Sequence, residues 1–289
     1  MSTENWSAVI DDAASLRCCY VQFIGGEPLL HPGIEGLSRH AKNRGMDVEV
    51  LTNGTVLTDR MLAWMSALNV KVSTSVYSSC PTNHDAVTGK AGSWVRTIAN
   101  LDRMVTKGLR VRAGIIYRNR DHDRVEETAL FLANRGIMVG TDHVRAIGRG
   151  GSTTSPEAYL AELCGACGKD RICVTNTGSV YPCIMARRTF LGNVRTSGLR
   201  AIMAGTELSA FKGALAARDC SAEACTPDCW PHGGCAPHDV CNPHKSVAKS
   251  STARGNCTPD CWPHGGCAPH DVCNPQKAAL KSTEVIGAN

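Results

Sequence analysis

Between Tyr20 and Ile147 the chain alternates short apolar runs with amphipathic stretches at least four times. The runs are Val21–Ile24, Asp47–Leu51, Val70–Ser75, Arg110–Ile116 and a last one near His143–Ile147. Between them, apolar residues recur at helical spacing: Ile34, Leu37 and Ala41; Met61, Leu62, Met65 and Leu68; Val95, Ile98, Leu101 and Val105; Val125, Ala129 and Leu132. A helix over 7–18, with Val9, Ile10 and Ala13 on one face, precedes the first run. Strands that alternate with helices at this spacing form βαβ units, hence a parallel sheet with right-handed crossovers. In such sheets ligands sit at the C-terminal strand ends. Gly25-Gly26, Asn53 and Ser75 all fall there. Periodicity by itself fits an open sheet and a barrel equally.

The first of these strand ends is the most informative. Val21-Gln22-Phe23-Ile24 runs into Gly25-Gly26-Glu27-Pro28. Two glycines let the backbone turn sharply and let a ligand approach its N–H and C=O groups. Glu27 adds an acceptor, and Pro28 stiffens the exit. By itself this is equally a tight strand-to-helix turn with no ligand.

The cysteines divide the chain. Of 16, only Cys18, Cys19 and Cys80 lie in the first half, and the rest fall between Cys164 and Cys273. Adjacent Cys18 and Cys19 read as small buried apolar residues. The N-terminus has neither the basic nor the apolar region of a secretory signal, and no apolar run is long enough to span a membrane. The chain therefore reads as cytoplasmic, where clustered cysteines bind metal or do redox work more often than they form disulfides. A formal charge of +5 without a clustered Lys/Arg run, and 5% aromatics, argue against a nucleic-acid partner.

Gly25-Gly26-Glu27-Pro28 resembles the GGEP motif of the radical SAM enzymes. Thr52-Asn53-Gly54 resembles the Thr-Asn-Gly of the same family. Ser75-Val76-Tyr77, with His84-Asp85, Thr88-Gly89 and Gly92-Ser93-Trp94, resembles a further family segment, with Tyr77 where an Asp is common. The resemblance implies an α/β fold, a partial (β/α)6 TIM-like barrel. It also implies an S-adenosylmethionine pocket bordered by Gly25, Gly26, Glu27, Pro28, Asn53 and Ser75. In the family a [4Fe–4S] cluster held by C-x3-C-x2-C splits that cofactor to a 5′-deoxyadenosyl radical. No C-x3-C-x2-C occurs in this sequence. Met1 is then either internal to a longer enzyme or the start of a remnant lacking the first barrel unit. The chain as written is expected not to generate a radical, and the free flank of the Tyr20–Ile24 strand is expected to be unpaired and aggregation-prone. His84-Asp85 reads equally as a turn or helix cap.

Downstream, Cys164-Gly165-Ala166-Cys167 is followed by a hairpin signal at Thr177-Gly178 and then Cys183. Gly178 and Cys183 make G-x4-C, and the segment resembles the SPASM auxiliary iron–sulfur domain of radical SAM peptide maturases, including the actinobacterial type. The later signature of that domain is met only in part by Cys220, Cys225, Cys229, Cys235 and Cys241. The resemblance implies that these five, with Cys164, Cys167 and Cys183, supply ligands for an auxiliary [4Fe–4S] cluster. Four thiolates suit structural zinc equally well.

Cys225–Lys245 and Cys257–Lys277 are identical except that His244 becomes Gln276. Neither copy has the apolar periodicity of a core, so order there would need a metal, a disulfide or a partner. The expected domains are a barrel over 1–150, a SPASM-like domain over 151–245, and a linker with an irregular duplicated tail over 246–289. The complete form is expected to modify a ribosomally made peptide, with electrons from a flavodoxin or ferredoxin. The alternative is a non-catalytic iron–sulfur or zinc-binding remnant. No residue stands out as a catalytic acid or base.

Overall fold

The computed structural model describes residues 1–121, 123–147, 150–151, 155–221 and 284–288. Helix α1 (Thr3–Ser15) opens the chain, closed at its start by reciprocal hydrogen bonds between Ser2 and Asn5. The alternation expected from sequence follows: β1 (Tyr20–Phe23), α2 (Ile34–Asn43), β2 (Asp47–Leu51), α3 (Asp59–Ala67), β3 (Lys71–Ser75), α4 (Pro81–Thr88), α5 (Ser93–Thr106), β4 (Val111–Tyr117), α6 (Val125–Ala133) and β5 (Met138–His143). These five strands pair in parallel in the order β5-β4-β3-β2-β1, the partial TIM-like arrangement.

Residues on each strand alternate between two environments. Val21, Val48, Val50, Val72, Val111, Ala113 and Ile115 face the helices and are buried with Ala41, Met65, Leu101 and Leu132. Each such valine or leucine stabilises the fold by roughly 1.5–3 kcal/mol relative to leaving it in water. The other face carries Tyr20, Gln22, Glu49, Ser73 and Arg112, which line a cavity.

Three local expectations are corrected. The last strand is Met138–His143 rather than 143–147, because Arg145 leaves the ladder to pair with Asp142 and to donate to the Glu162 carbonyl. Around His84-Asp85, for which the sequence offers only a turn or a helix cap, residues 81–88 form α4, started by Pro81 and stopped by Gly89 in the left-handed region (φ 68°). Val95, expected on the buried face of α5, is 58% exposed; Thr97, Ile98, Leu101 and Met104 form that face.

The second half begins with α7 (Pro156–Ala161) and a three-stranded antiparallel unit, β6 (Arg171–Thr175), β7 (Ser179–Tyr181) and β8 (Gly192–Asn193). The expected turn is present, with Gly178 at φ 86° between β6 and β7. Helices α8 (Leu199–Met203) and α9 (Thr206–Ser221) follow. The two halves are tied through α1: Asp12 accepts from the Leu199 N–H at 2.9 Å, and Arg200 donates to the Ser15 carbonyl at 3.2 Å.

The free flank of β1 is not unpaired. Strand β9 (Glu284–Ala288), within the segment expected to be irregular, lies parallel to β1 on one side and to β6 on the other. The sheet therefore runs through nine strands, β5-β4-β3-β2-β1-β9-β6-β7-β8.

Candidate functional site

The turn after β1 is built by its glutamate. Gly25 and Gly26 take φ of 100° and 49°, which side-chain-bearing residues rarely adopt. The Glu27 carboxylate then accepts three hydrogen bonds: from the Leu29 N–H at 3.1 Å, the Thr52 hydroxyl at 2.7 Å and the Asn53 N–H at 2.8 Å. Glu27 thus clamps the end of β1 to the end of β2. Asn53 is held in turn, its side-chain oxygen accepting from the N–H and hydroxyl of Thr55 at 2.8 and 2.6 Å. The segments singled out around Gly25-Gly26 and Asn53 are brought together by the glutamate itself. Gly25, Glu27 and Pro28 border a cavity of about 400 Å³ that also includes Trp6, Phe23 and His31. Ser75 borders a second, larger cavity of about 810 Å³.

His84-Asp85 has a structural part. Asp85 accepts from the Gly92 and Trp94 N–H groups and from the Ser93 hydroxyl, at 2.5, 2.8 and 2.8 Å, and so caps α5. The Trp94 backbone bond, followed by the other two, holds its carboxyl below the usual range. His84 is buried, and its Nδ1 accepts the Tyr77 N–H at 3.3 Å. Burial lowers its pKa.

The larger cavity fills the concave side of the sheet. Its centre is Glu49, 3% exposed. Tyr20 and Gln22 donate to its carboxylate at 2.5 Å each, Ser73 donates to the other oxygen, and an Arg112 guanidinium nitrogen lies 3.0 Å away. Burial alone would raise this carboxyl; the Arg112 charge and the three donors outweigh it and hold the pKa below the ordinary value. Sequence reading missed this layer. Its signal was the polar residue at every second position of otherwise apolar strands.

The same cavity is lined by Cys164, Cys167 and Cys183. Cys167 and Cys183 are buried with sulfurs 2.6 Å apart. Hydrogen bonding from Cys167, with help from Arg171 and Arg145, lowers the Cys164 pKa to about 5, against the opposing pull of burial. Cys167 is pushed up as the donor to both neighbours, and Cys183 is lowered as its acceptor. Cys173 stands apart, packed with Ile24, Tyr181 and Ile184, its thiol pushed up to about 12 by burial. The expectation for the first cysteine pair is half met. Cys18 is buried and donates to the Tyr20 carbonyl at 3.0 Å, whereas Cys19 is exposed and lines the larger cavity.

Cys220 lies in the last turn of α9; Cys225, Cys229, Cys235 and Cys241 lie outside the described residues. Thiolates sharing one tetrahedral ion with metal–sulfur bonds of about 2.3 Å sit about 3.8 Å apart. The three thiols therefore have the right chemistry for an iron–sulfur or zinc site, with the Cys167–Cys183 pair closer together than two ligands of one ion. Among the described residues no three ligating side chains stand at metal-binding spacing.

Residues 1–132 match the radical SAM superfamily model, and residues 164–230 match the SPASM model, an iron–sulfur cluster-binding domain. The chain thus carries a radical SAM domain over residues 1–132 and a SPASM domain over residues 164–230. These two domains imply S-adenosylmethionine and iron–sulfur clusters as cofactors. The chain is 25% identical over 143 residues to the PqqA peptide cyclase of Ruegeria pomeroyi, covering 48% of this chain and 38% of that one. It is 26% identical over 152 residues to the mycofactocin maturase MftC of Mycolicibacterium smegmatis, covering 52% and 38%. Streptococcus suis SuiB bound to its precursor peptide SuiA shares the fold, with a TM-score of 0.62 at 12% identity, covering 73% of this chain and 60% of that one. The chain spans little more than a third of the length of these curated relatives.

Proposed function

We propose that this chain is the S-adenosylmethionine-binding sheet and auxiliary-cluster portion of a radical SAM/SPASM protein that modifies a ribosomally made peptide. The observation that carries this reading is the single cavity of about 810 Å³ shared by Ser75, at the C-terminal end of β3, and the three thiols Cys164, Cys167 and Cys183. Relatives named as a PqqA peptide cyclase, a mycofactocin maturase and SuiB with its precursor peptide support a peptide substrate.

In this reading residues 1–150 form the barrel domain, 151–245 the SPASM domain and 246–289 the linker and tail. The Gly25-Gly26 turn offers backbone groups to the cofactor, with Pro28 on the smaller cavity, Ser75 on the larger and Asn53 held at the end of β2 by Glu27. Glu27 positions the turn, since its carboxylate is engaged by Leu29, Thr52 and Asn53. Cys164, Cys167 and Cys183 hold three corners of an auxiliary cluster once Cys167 and Cys183 separate. The later cysteines, from Cys220 to Cys241, supply the fourth. Such a cluster, when bound, relays electrons or anchors substrate. Arg145 and Arg171 favour the thiolate form that ligation needs. The cytoplasm suits these reduced thiols, and a flavodoxin or ferredoxin serves as the electron donor. Among the described residues no helix is long and apolar enough to cross a membrane.

The sequence contains no C-x3-C-x2-C to hold a catalytic cluster, so no radical step is assigned to its residues. That same observation favours a second reading, a non-catalytic iron–sulfur or zinc-binding protein. An anaerobic S-adenosylmethionine cleavage assay with a chemical reductant tests the assignment. The chain is expected to release no 5′-deoxyadenosine; release would show that its cysteines build a catalytic cluster by another route.

A further inference from the structure

Charge is unevenly spread along the second half. Residues 171–206 contain five arginines, Arg171, Arg187, Arg188, Arg195 and Arg200, and no Asp, Glu or Lys. The whole chain has 31 Lys and Arg against 26 Asp and Glu, so outside this segment the two signs are equal. Two of the five are engaged within the fold. Arg171 pairs with Asp170 at 3.2 Å, and Arg200 donates to the Ser15 carbonyl. Arg187 and Arg188 stand side by side and exposed on the loop 184–190 that follows Cys183. Among the described residues Arg187 pairs with no carboxylate; its Nε donates to the Ile184 carbonyl at 3.2 Å.

Two apolar side chains flank these charges, Met185 at 39% and Phe190 at 53% exposure. Arginine, methionine and aromatic residues are the types enriched at protein interfaces. The loop is also held in place. The Tyr159 hydroxyl donates to the Met185 carbonyl and accepts from the Arg188 N–H, both at 3.2 Å, and the Arg188 guanidinium lies 4.7 Å from the centre of the Tyr159 ring. Phe190 meets the Tyr181 ring edge-on at 6.1 Å. A surface already ordered loses little entropy when a partner docks. Helix α7, which carries Tyr159, also carries two acids: Glu157 is exposed, whereas Glu162 accepts from the Ala146 N–H and lines the larger cavity.

What selects the partner is the far side of the loop. The Met185 and Ala186 N–H groups bond to the Cys183 sulfur. A protein seated on the loop would bring its own redox centre within a few residues of the three thiols, and electron transfer slows exponentially with distance. Ferredoxins and flavodoxins are small and acidic, the charge complement of this surface. Resting on the reading of Cys164, Cys167 and Cys183 as ligands of an auxiliary cluster, we propose that Met185, Arg187, Arg188 and Phe190 form the docking surface for a small acidic electron-transfer protein.

The test titrates the full chain, purified anaerobically, separately with a flavodoxin and with a [2Fe–2S] ferredoxin, and follows binding by calorimetry. The wild type is expected to bind at least one of them at low salt and to release it as salt is raised. Arg187→Glu should weaken that binding at least about ten-fold, since it sets like charges against each other. Phe190→Ser should weaken it too, and Arg187→Lys, which keeps the charge, should bind as the wild type does. Arg60→Glu makes the same change of net charge at a side chain 87% exposed on α3, and should bind as the wild type does. Binding of neither protein, or equal weakening by Arg60→Glu and Arg187→Glu, overturns the proposal. A polyglutamate peptide held as tightly as either protein would assign the surface to an acidic peptide and overturn it as well. Iron and sulfide are measured in each sample, so that absence of the cluster, which would defeat the reading beneath this one, is not confused with loss of docking.

Discussion

Glu49 and Arg112 form an ion pair at 3.0 Å across the concave face of the sheet, with their side chains only 4% and 13% exposed. They come from strands two apart, and Ser73 on the strand between them bonds to both. A carboxylate that deep is tolerable only with its partners in place.

Arg112→Met should therefore destabilise the chain by about 3–5 kcal/mol, because it strands the Glu49 charge. Adding Glu49→Leu should restore much of that loss. Urea unfolding of the single and double variants measures the difference. A double variant no more stable than Arg112→Met would show that the charge is not what the arginine offsets.

Two of the buried titrating groups, Glu49 and His84, give stability the same dependence on pH. Glu49 has a folded pKa below its ordinary 4.5, so its contribution is present above that value and is lost as pH falls through the lowered one. His84 also has a folded pKa below its ordinary 6.5. The unfolded chain takes up that proton first, so stability begins to fall as pH drops below 6.5 towards the folded value. His84→Asn keeps an acceptor for the Tyr77 N–H and should flatten the dependence below about pH 6.5. Denaturant midpoints across that range decide it, and an unchanged slope would place the titration elsewhere.

Glu27→Ala removes the common acceptor of Leu29, Thr52 and Asn53. The Leu29 amide lies beside a buried side chain, whereas Asn53 is exposed and water can replace its partner. The expected loss is about 1–3 kcal/mol, from the unsatisfied donors. Faster amide exchange at Asn53 should accompany it. Unchanged exchange there would mean that the two strand ends are held together by something else.

In the metal-free chain the thiols should differ widely in reactivity. Cys164, with a pKa of about 5, is expected to alkylate with iodoacetamide at mildly acidic pH. Cys173, buried and at about 12, should remain unmodified until the chain unfolds. Peptide mapping after timed quenching reads the order, and Cys173 reacting first would contradict the electrostatics described for the three-thiol group.

Much of this molecule is legible in its sequence, for physical reasons that also explain the rest. Asp47–Leu51 and Val125–Ala133 are readable because their apolar residues recur at the strand or helix period and Thr52-Asn53-Gly54 or Gly136 stops them. The Gly25–Pro28 turn is readable because its glycines sit where only glycine is comfortable. Glu49 and Arg112 are not, since each is a single charge in an apolar strand and acquires meaning only when the register brings the two together. β9 is hidden for a similar reason. Five residues carry little periodicity, and its partners lie more than a hundred positions away in the chain. Cys164, Cys167 and Cys183 are singled out in the sequence through the SPASM resemblance; their sharing a cavity with Ser75 and Glu49 is not legible there, because nothing local links a strand end to a distant hairpin.

The central claim is that the second half of this chain is an iron–sulfur domain whose ligands include Cys164, Cys167 and Cys183. Iron, acid-labile sulfide and zinc should be measured in the full chain purified anaerobically, beside a variant with these three cysteines changed to serine. The account predicts iron and sulfide in the wild type and a large loss of both in the variant. Zinc alone, no metal, or iron and sulfide retained in the variant would contradict it.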